Sequence, residues 1–345
     1  MKRVILVLMF LSFMSGAFAS SEEILSLSIL GMGKAGLADV SSNSNPANIA
    51  SRSEDDPSLR TYFSIQEDLE IDELSSSLGF FQYPTMRLGA QVYGSNLSLT
   101  LNNDSYLEDR EYTSDGLEYT GYNKFILQLD WGYKINNFDF GMRLKGGSVT
   151  RRSNFELRSN FFFLTDYIVN TFFSNYTSLS NSDFFSLGFA LRFNANDNLS
   201  LAIMSDSDLD LSSSDDTIYS YLQGISLGAT YTSNLYTSTN QLNPFVYKFS
   251  IDILDIGDED NRELRFGNEI RMQLSNNNSI AFRAGYYEDK ETIADLFTFS
   301  DQGVTTYAIA YDSNDYAASL LLYVPIDSYS DFNDFTIGLS FEFRF

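Results

Sequence analysis

The sequence predicts an all-β protein: a transmembrane antiparallel β-barrel of about 14 strands with an N-terminal hatch inside it. Three observations carry that expectation. Segment after segment alternates with a period of two, apolar residues on one face and polar or charged residues on the other. Short Asn- and Asp-containing turns alternate along the chain with long acidic connections. The composition joins 30 Phe and 22 Tyr to a mean hydropathy of −0.16, too polar for a bundle of membrane helices. The chain holds no Cys and no His, which excludes histidine-base and cysteine-nucleophile enzymes and Cys/His zinc sites. No catalysis and no cofactor are expected. A net charge of −24 argues against nucleic acid, whose phosphates need clustered Lys and Arg.

The first element is an export signal over 1–19. Lys2 and Arg3 precede an apolar run from Val4 to Phe13, and Ala17-Phe18-Ala19 supplies small residues two apart, with cleavage expected after Ala19. The apolar run is far shorter than the roughly 20 residues of a spanning helix. Loss of the signal leaves 20 basic and 46 acidic side chains, a mature charge of −26.

Residues 20–59 lack strand alternation and form the second element. GMGKAG at 31–36 supplies Gly31, Gly33 and Gly36, which permit tight backbone and close approach to a wall. NPANIA follows at 45–50, where Asn45-Pro46 favours a turn before Ala47. Such a compact, irregular piece satisfies its backbone groups best against a polar barrel interior.

The barrel is expected over 60–345, in segments near 60–69, 74–83, 86–101, 122–135, 138–151, 183–194, 198–206, 220–232, 244–254, 263–275, 279–287, 304–312, 316–325 and 334–345. In the last, Ile337, Leu339, Phe341, Phe343 and Phe345 oppose Gly338, Ser340, Glu342 and Arg344. Short connections fall at Pro84-Thr85, Asn136-Asn137, 195–197, 276–278 and 313–315, with 233–243 as a longer exception. Long ones fall at 102–121, 152–182, 207–219, 255–262, 288–303 and 326–333. A soluble sandwich also alternates, but short turns on one rim and long loops on the other is the outer-membrane arrangement, with both termini on the periplasmic side. Connections near 102–121, 206–216, 255–263 and 288–303 hold 21 acidic and 3 basic residues, a solvated and repulsive outer rim.

The hatch motif, ahead of these strands, resembles the FadL family of hydrophobic-compound transporters. The resemblance rests on Gly31, Met32, Gly33, Ala35, Gly36, Asn45, Pro46 and Ala47, on the strand count, and on the 263–287 hairpin. Asn48 stands where glycine is common after Asn-Pro-Ala, and the gap from Gly36 to Asn45 is a few residues shorter than usual. The terminal Phe345 resembles the signal by which bacterial outer-membrane proteins engage their assembly machinery. The resemblance implies a bacterial outer-membrane location among lipid, a lumen plugged at its base, and passive uptake of long-chain fatty acids or other hydrophobic compounds. Ligand would be captured by apolar extracellular loops and released laterally through the wall.

Two sets of residues are candidates for ligand contact. FFFLTDYIVNTFF over 161–173 is too apolar for an ordinary surface loop, and at helical spacing Phe161, Leu164, Ile168 and Phe172 share a side, with Phe162 and Phe173 beside it. It would capture an acyl chain, pack against neighbouring loops, or extend the fifth and sixth strands. Bases on the expected lumen face, Arg143, Lys145, Arg192, Lys248, Arg271 and Arg283, would hold a carboxylate head group where they are left unpaired. Otherwise they form a salt-bridge ladder with acids such as Asp139, Asp252 and Glu269 on the same side. Two other functions fit such a chain: a related barrel serving type IX-like protein shuttling, and a general porin.

Overall fold

The computed structural model describes residues 31–32, 34–39, 44–52, 57–70, 85–112, 116–157, 177–210, 225–235, 245–256, 262–275, 278–288, 303–326 and 334–345. After a 3-10 turn at Pro46–Ser51, the chain forms fourteen strands. They are β1 (Leu59–Glu70), β2 (Thr85–Tyr93), β3 (Leu97–Tyr112), β4 (Gly116–Ile135), β5 (Phe138–Leu157), β6 (Thr177–Asn194) and β7 (Leu199–Asp210). They continue as β8 (Ile225–Leu235), β9 (Phe245–Leu254), β10 (Glu263–Ser275), β11 (Asn278–Glu288), β12 (Gly303–Ser313), β13 (Tyr316–Ile326) and β14 (Asp334–Arg344). Each pairs antiparallel with its sequence neighbours, and β14 returns to β1, so the sheet closes on itself. Leu59 and Phe345 exchange two backbone hydrogen bonds, of 3.2 and 2.9 Å, where the ends meet. Closure leaves no sheet edge in hydrocarbon, which is what lets β-strands cross a membrane at all.

The two-residue period sorts the side chains as expected. On β4 and β5, Leu127, Leu129, Trp131, Tyr133, Phe138, Phe140 and Met142 are exposed on the outside, while Gln128, Asp130, Asp139 and Arg143 are buried within. The exposed apolar set continues through Leu201, Ile203, Ile270, Phe282, Ile309, Leu320, Phe341 and Phe343. An outer wall this greasy around a polar interior has hydrocarbon as its solvent. An arginine replacing Leu129, which lies on that wall with 41% exposure, is expected to cost about 2–4 kcal/mol near mid-bilayer, measured by reversible unfolding in lipid vesicles.

Twelve of the expected segments coincide with one observed strand each, though β4, β5 and β6 each extend six residues further and 220–224 lies outside the described residues; one region differs in how it is divided. The segment 86–101 is two strands, β2 and β3, separated by a turn at 94–96 where the Gly94 N–H donates to the Leu97 carbonyl at 2.7 Å. The outward phase passes from even numbers at Val92 to odd at Leu97, because Tyr93 pairs with Ser98 and an even number of residues, four, separates them. The expected second strand, 74–83, lies outside the described residues. Pro84-Thr85 is therefore no basal turn: β1 rises from the base, and 71–84 joins it to β2 at the opposite rim. The expected connection 102–121 is mostly strand, leaving only 113–115 between β3 and β4. The connection expected at 152–182 likewise contracts to 158–176. Ladder hydrogen bonds need no apolar face, so a polar strand extension escapes an apolar-alternation test. β4 and β5 have 20 residues each, where a membrane-spanning strand needs roughly 9–11. At Asn136-Asn137, Asn136 has φ 54, the left-handed backbone expected of a two-residue hairpin.

Candidate functional site

The described part of the 31–52 segment folds first upon itself. The Ala35 N–H donates to the Met32 carbonyl at 3.2 Å and the Asp39 N–H to that of Gly36 at 3.0 Å. Between them Lys34 takes φ 58, costly for a side-chain-bearing residue. Its ammonium lies 4.0 Å from the centre of the Tyr287 ring. Asn45 then does two tasks: its Oδ1 accepts from the Ala47 N–H at 2.8 Å, capping the 3-10 turn, and its Nδ2 donates to the Leu37 carbonyl at 3.0 Å. Pro46 occupies a first-turn position, where its missing N–H is no loss. The sequence motif thus encodes a folded knot, with Asn45 tying its two halves.

That knot sits against the interior of the barrel, and glycines make the space. At Gly141 on β5 a Cβ would collide with the backbone of Pro46 and Ala47; at Gly267 on β10 it would collide with Met32. At Gly132 on β4 it would fall 2.7 Å from the Ala50 nitrogen, and at Gly228 on β8, 2.7 Å from the Leu37 Cβ. Backbone meets backbone on four strands distributed around the wall. Leu37, Ala38 and Ala47 bury their apolar surface against Ala190, Ala202 and Met204.

Charged side chains bind the knot to the wall. One oxygen of Asp252 (Oδ2) accepts the N–H groups of Gly36 and Leu37 at 2.6 and 2.9 Å. Lys248, on the same face of β9, pairs with Asp39 at 2.7 Å. Arg143 grips Asp130 through Nε at 2.8 Å and donates from Nη1 to the Ser44 carbonyl at 2.8 Å. Arg192 grips Asp139 through Nε at 3.0 Å and donates to Asn48 Oδ1 at 3.0 Å, while Ser51 also donates to Asp139. Asn48, the departure from the family pattern, donates in turn to the Asp39 carbonyl at 2.8 Å. A glycine there would reach neither partner.

The candidate bases therefore sit largely in a ladder. Besides the pairs above, Arg283 and Arg271 share Glu269 at 2.6 and 3.1 Å, and Arg271 reaches Asp312. Arg344 also pairs with Asp312, and bridges to Glu342, which faces Arg60 across the closing seam. Arg143, Arg192 and Arg283 face Asp130, Asp139 and Glu269 in register on adjacent strands, Lys248 pairs with Asp39 of the N-terminal segment and Arg271 with Glu269 of its own strand, so these five take the salt-bridge-ladder alternative. Lys145 is half-buried on the same interior phase of β5. Gly36, Asn45, Pro46 and Ala47 lie in the one folded knot, joined through Ser44 and Leu37, while Gly31 rests against Ala308 and Arg283 of the wall; Gly33 lies outside the described residues, as do Phe161, Phe162, Leu164, Ile168, Phe172 and Phe173. Phe345 is exposed at the end of the closing seam. Sequence reasoning missed the wall glycines Gly132, Gly141 and Gly228. Their signal was available: a glycine on the polar phase of an otherwise bulky strand.

No protein-family model and no curated protein matches this chain. Solved structures do. The CymD monoaromatic hydrocarbon channel aligns with TM-score 0.51 at 11% identity, over 93% of this chain and 97% of that one. The Pseudomonas putida toluene transporter TodX aligns with TM-score 0.51 at 12% identity, over 95% and 99%. A TodX deltaS2S3 mutant aligns with TM-score 0.52 at 11% identity, over 94% and 100%. At such identities the likeness is one of fold: the chain has the fourteen-stranded barrel architecture of FadL-type channels.

Proposed function

We propose that the protein is an outer-membrane channel for passive uptake of hydrophobic compounds, with residues 20–59 as a hatch in its lumen. The carrying observation is the seating of residues 31–52 against the inner wall, through Asp252, Arg143 and Arg192. A general porin needs an open aqueous bore, and a folded knot fastened to several strands works against one. The structural neighbours include a channel for monoaromatic hydrocarbons and a toluene transporter, which supports a hydrophobic cargo. Long-chain fatty acids fit the same route, captured by the apolar 161–173 stretch and released sideways past the hatch. Phe345, at the closing seam, would present the C-terminal signal to the assembly machinery.

The test is mass spectrometry of ligands extracted from protein purified from its membrane. Bound acyl chains or aromatic hydrocarbons are expected in the native protein. Replacing Phe161, Phe162, Phe172 and Phe173 by serine is expected to reduce retained ligand at least tenfold while the barrel still folds. A native protein free of small hydrophobic ligands that instead retains a secreted protein would replace uptake with shuttling. High constitutive ion conductance would replace it with a porin.

A further inference from the structure

The lipid-facing wall carries a polar group inside its apolar band. Asn268 of β10 stands on the outward phase, with Leu264 and Phe266 on its extracellular side and Ile270, Met272 and Leu274 on its periplasmic side. Ile270 and Leu274 are 45% and 51% exposed, and Asn268 itself is partly exposed, so the position is open to the bilayer. A leucine would suit it; an amide suits it poorly, because hydrocarbon offers no hydrogen-bonding partner. Tyr247 of β9 answers one half of that amide, its hydroxyl donating to Asn268 Oδ1 at 2.7 Å. The other half, the Nδ2 amino group with its two N–H donors, has no acceptor among the described residues. It is not enclosed either, and is reached from the lipid side.

Strand register shapes a recess beside this donor. Opposite Asn268 on β11 is Ala284, too small to fill the wall, and opposite Ala284 on β12 is Tyr307, 49% exposed. Phe282, 50% exposed, stands on the periplasmic side of Ala284. On the extracellular side stands the stacked pair of Phe266 and Tyr286, with ring centroids 5.2 Å apart. Ala284 is thus a shallow floor with aromatic rings about it and a hydrogen-bond donor on one wall. Rings pack against rings, and the donor takes an acceptor. Charge lies at a distance: among the described residues the outward phase of β8–β12 carries only Glu288, at the extracellular end of β11, and Arg262, just before the extracellular start of β10. An ionised group would therefore sit in hydrocarbon with no counter-charge beside it, whereas a neutral oxygen meets the amino group at no such cost.

We infer that Asn268, oriented by Tyr247, is a binding site on the lipid-facing wall for an uncharged, ring-bearing lipophilic molecule with an acceptor oxygen, of the aryl ketone or quinone class. Its ring lies over Ala284 and its oxygen accepts from Asn268 Nδ2. The molecule reaches the site through the bilayer, so the site goes beyond the uptake reading and does not depend on it or on the hatch.

Benzophenone is the probe, an aryl ketone that also photolabels nearby C–H bonds. It is added to the full chain in phosphatidylcholine nanodiscs, irradiated, and its adducts are mapped by peptide mass spectrometry. Labelling within 263–288 is expected to saturate and to fall at least tenfold in Asn268→Leu, while labelling elsewhere on the lipid-facing wall stays unchanged. Acetophenone is expected to compete at least tenfold better than ethylbenzene, which matches its size without the oxygen. Should Asn268→Leu fail to assemble, Tyr247→Phe, which keeps the amide and removes its tether, is expected to lose at least threefold. Equal labelling of 263–288 in the wild type and the variants, or equal competition by the ketone and the hydrocarbon, overturns the site and leaves Asn268 as a cross-strand partner of Tyr247. Wild-type dimers that Asn268→Leu abolishes, with no saturable labelling, overturn it in favour of a second copy of this chain.

Discussion

Replacing Gly141 by valine is expected to unseat the N-terminal segment and open the lumen. A Cβ at that position runs into the backbone of Pro46 and Ala47, and main chain cannot swing aside as a side-chain tip can. Overpacking of this kind costs about 1–3 kcal/mol. The β5 ladder itself is untouched, because the new side chain points away from the hydrogen bonds that hold the sheet. The expected outcome is a folded barrel whose residues 31–52 become sensitive to protease and whose single-channel conductance rises severalfold in planar bilayers. Gly267→Val, which meets Met32 on the far wall, should act in the same direction. Gly146→Val is the control, since a Cβ there meets nothing closer than 3.7 Å. If Gly141→Val conducts like the wild type and resists protease equally, the knot at 31–52 is not what closes the channel.

Arg192→Met should produce the largest loss of stability among single substitutions in the lumen. Asp139 is 0% exposed, and Arg192 supplies it with two hydrogen bonds as well as the opposing charge. Removing the guanidinium leaves a buried carboxylate with Asn194, Ser51 and a more distant Lys134 at 3.8 Å. Breaking one side of a buried pair costs about 3–5 kcal/mol. The same change removes the hydrogen bond from Arg192 to Asn48, so heat should release the N-terminal segment before the barrel. Removing both charges, as Arg192→Met with Asp139→Leu, should recover most of the loss, because an apolar pair needs no compensation. Thermal unfolding followed by circular dichroism gives the comparison, and a double variant no better than the single one would refute the pairing account.

Much of this architecture is legible along the chain because a membrane barrel writes its solvent into every second residue. The run from Phe125 to Ile135 and the run from Phe335 to Phe345 alternate so regularly that face and direction follow without a structure. The turn at Asn136-Asn137 follows in the same way. Legibility fails where polarity stops alternating: the upper reaches of β3, β4, β5 and β6 carry ladder hydrogen bonds on sequences that look like polar loops. It fails also at 94–96, where a short turn hides between two stretches of similar composition.

Residue order alone encodes the barrel, its inside and its outside, and a compact glycine- and Asn-Pro-bearing segment ahead of it. Those depend on local periodicity and on turn chemistry, which a single chain displays in order. Which acid answers which base, and where the segment rests, emerge in the folded barrel. Asp139 and Arg192 are 53 residues apart, and Gly36 and Asp252 are 216 apart. Partners so distant are chosen by strand register and barrel closure, and neither leaves a mark in the local order of residues.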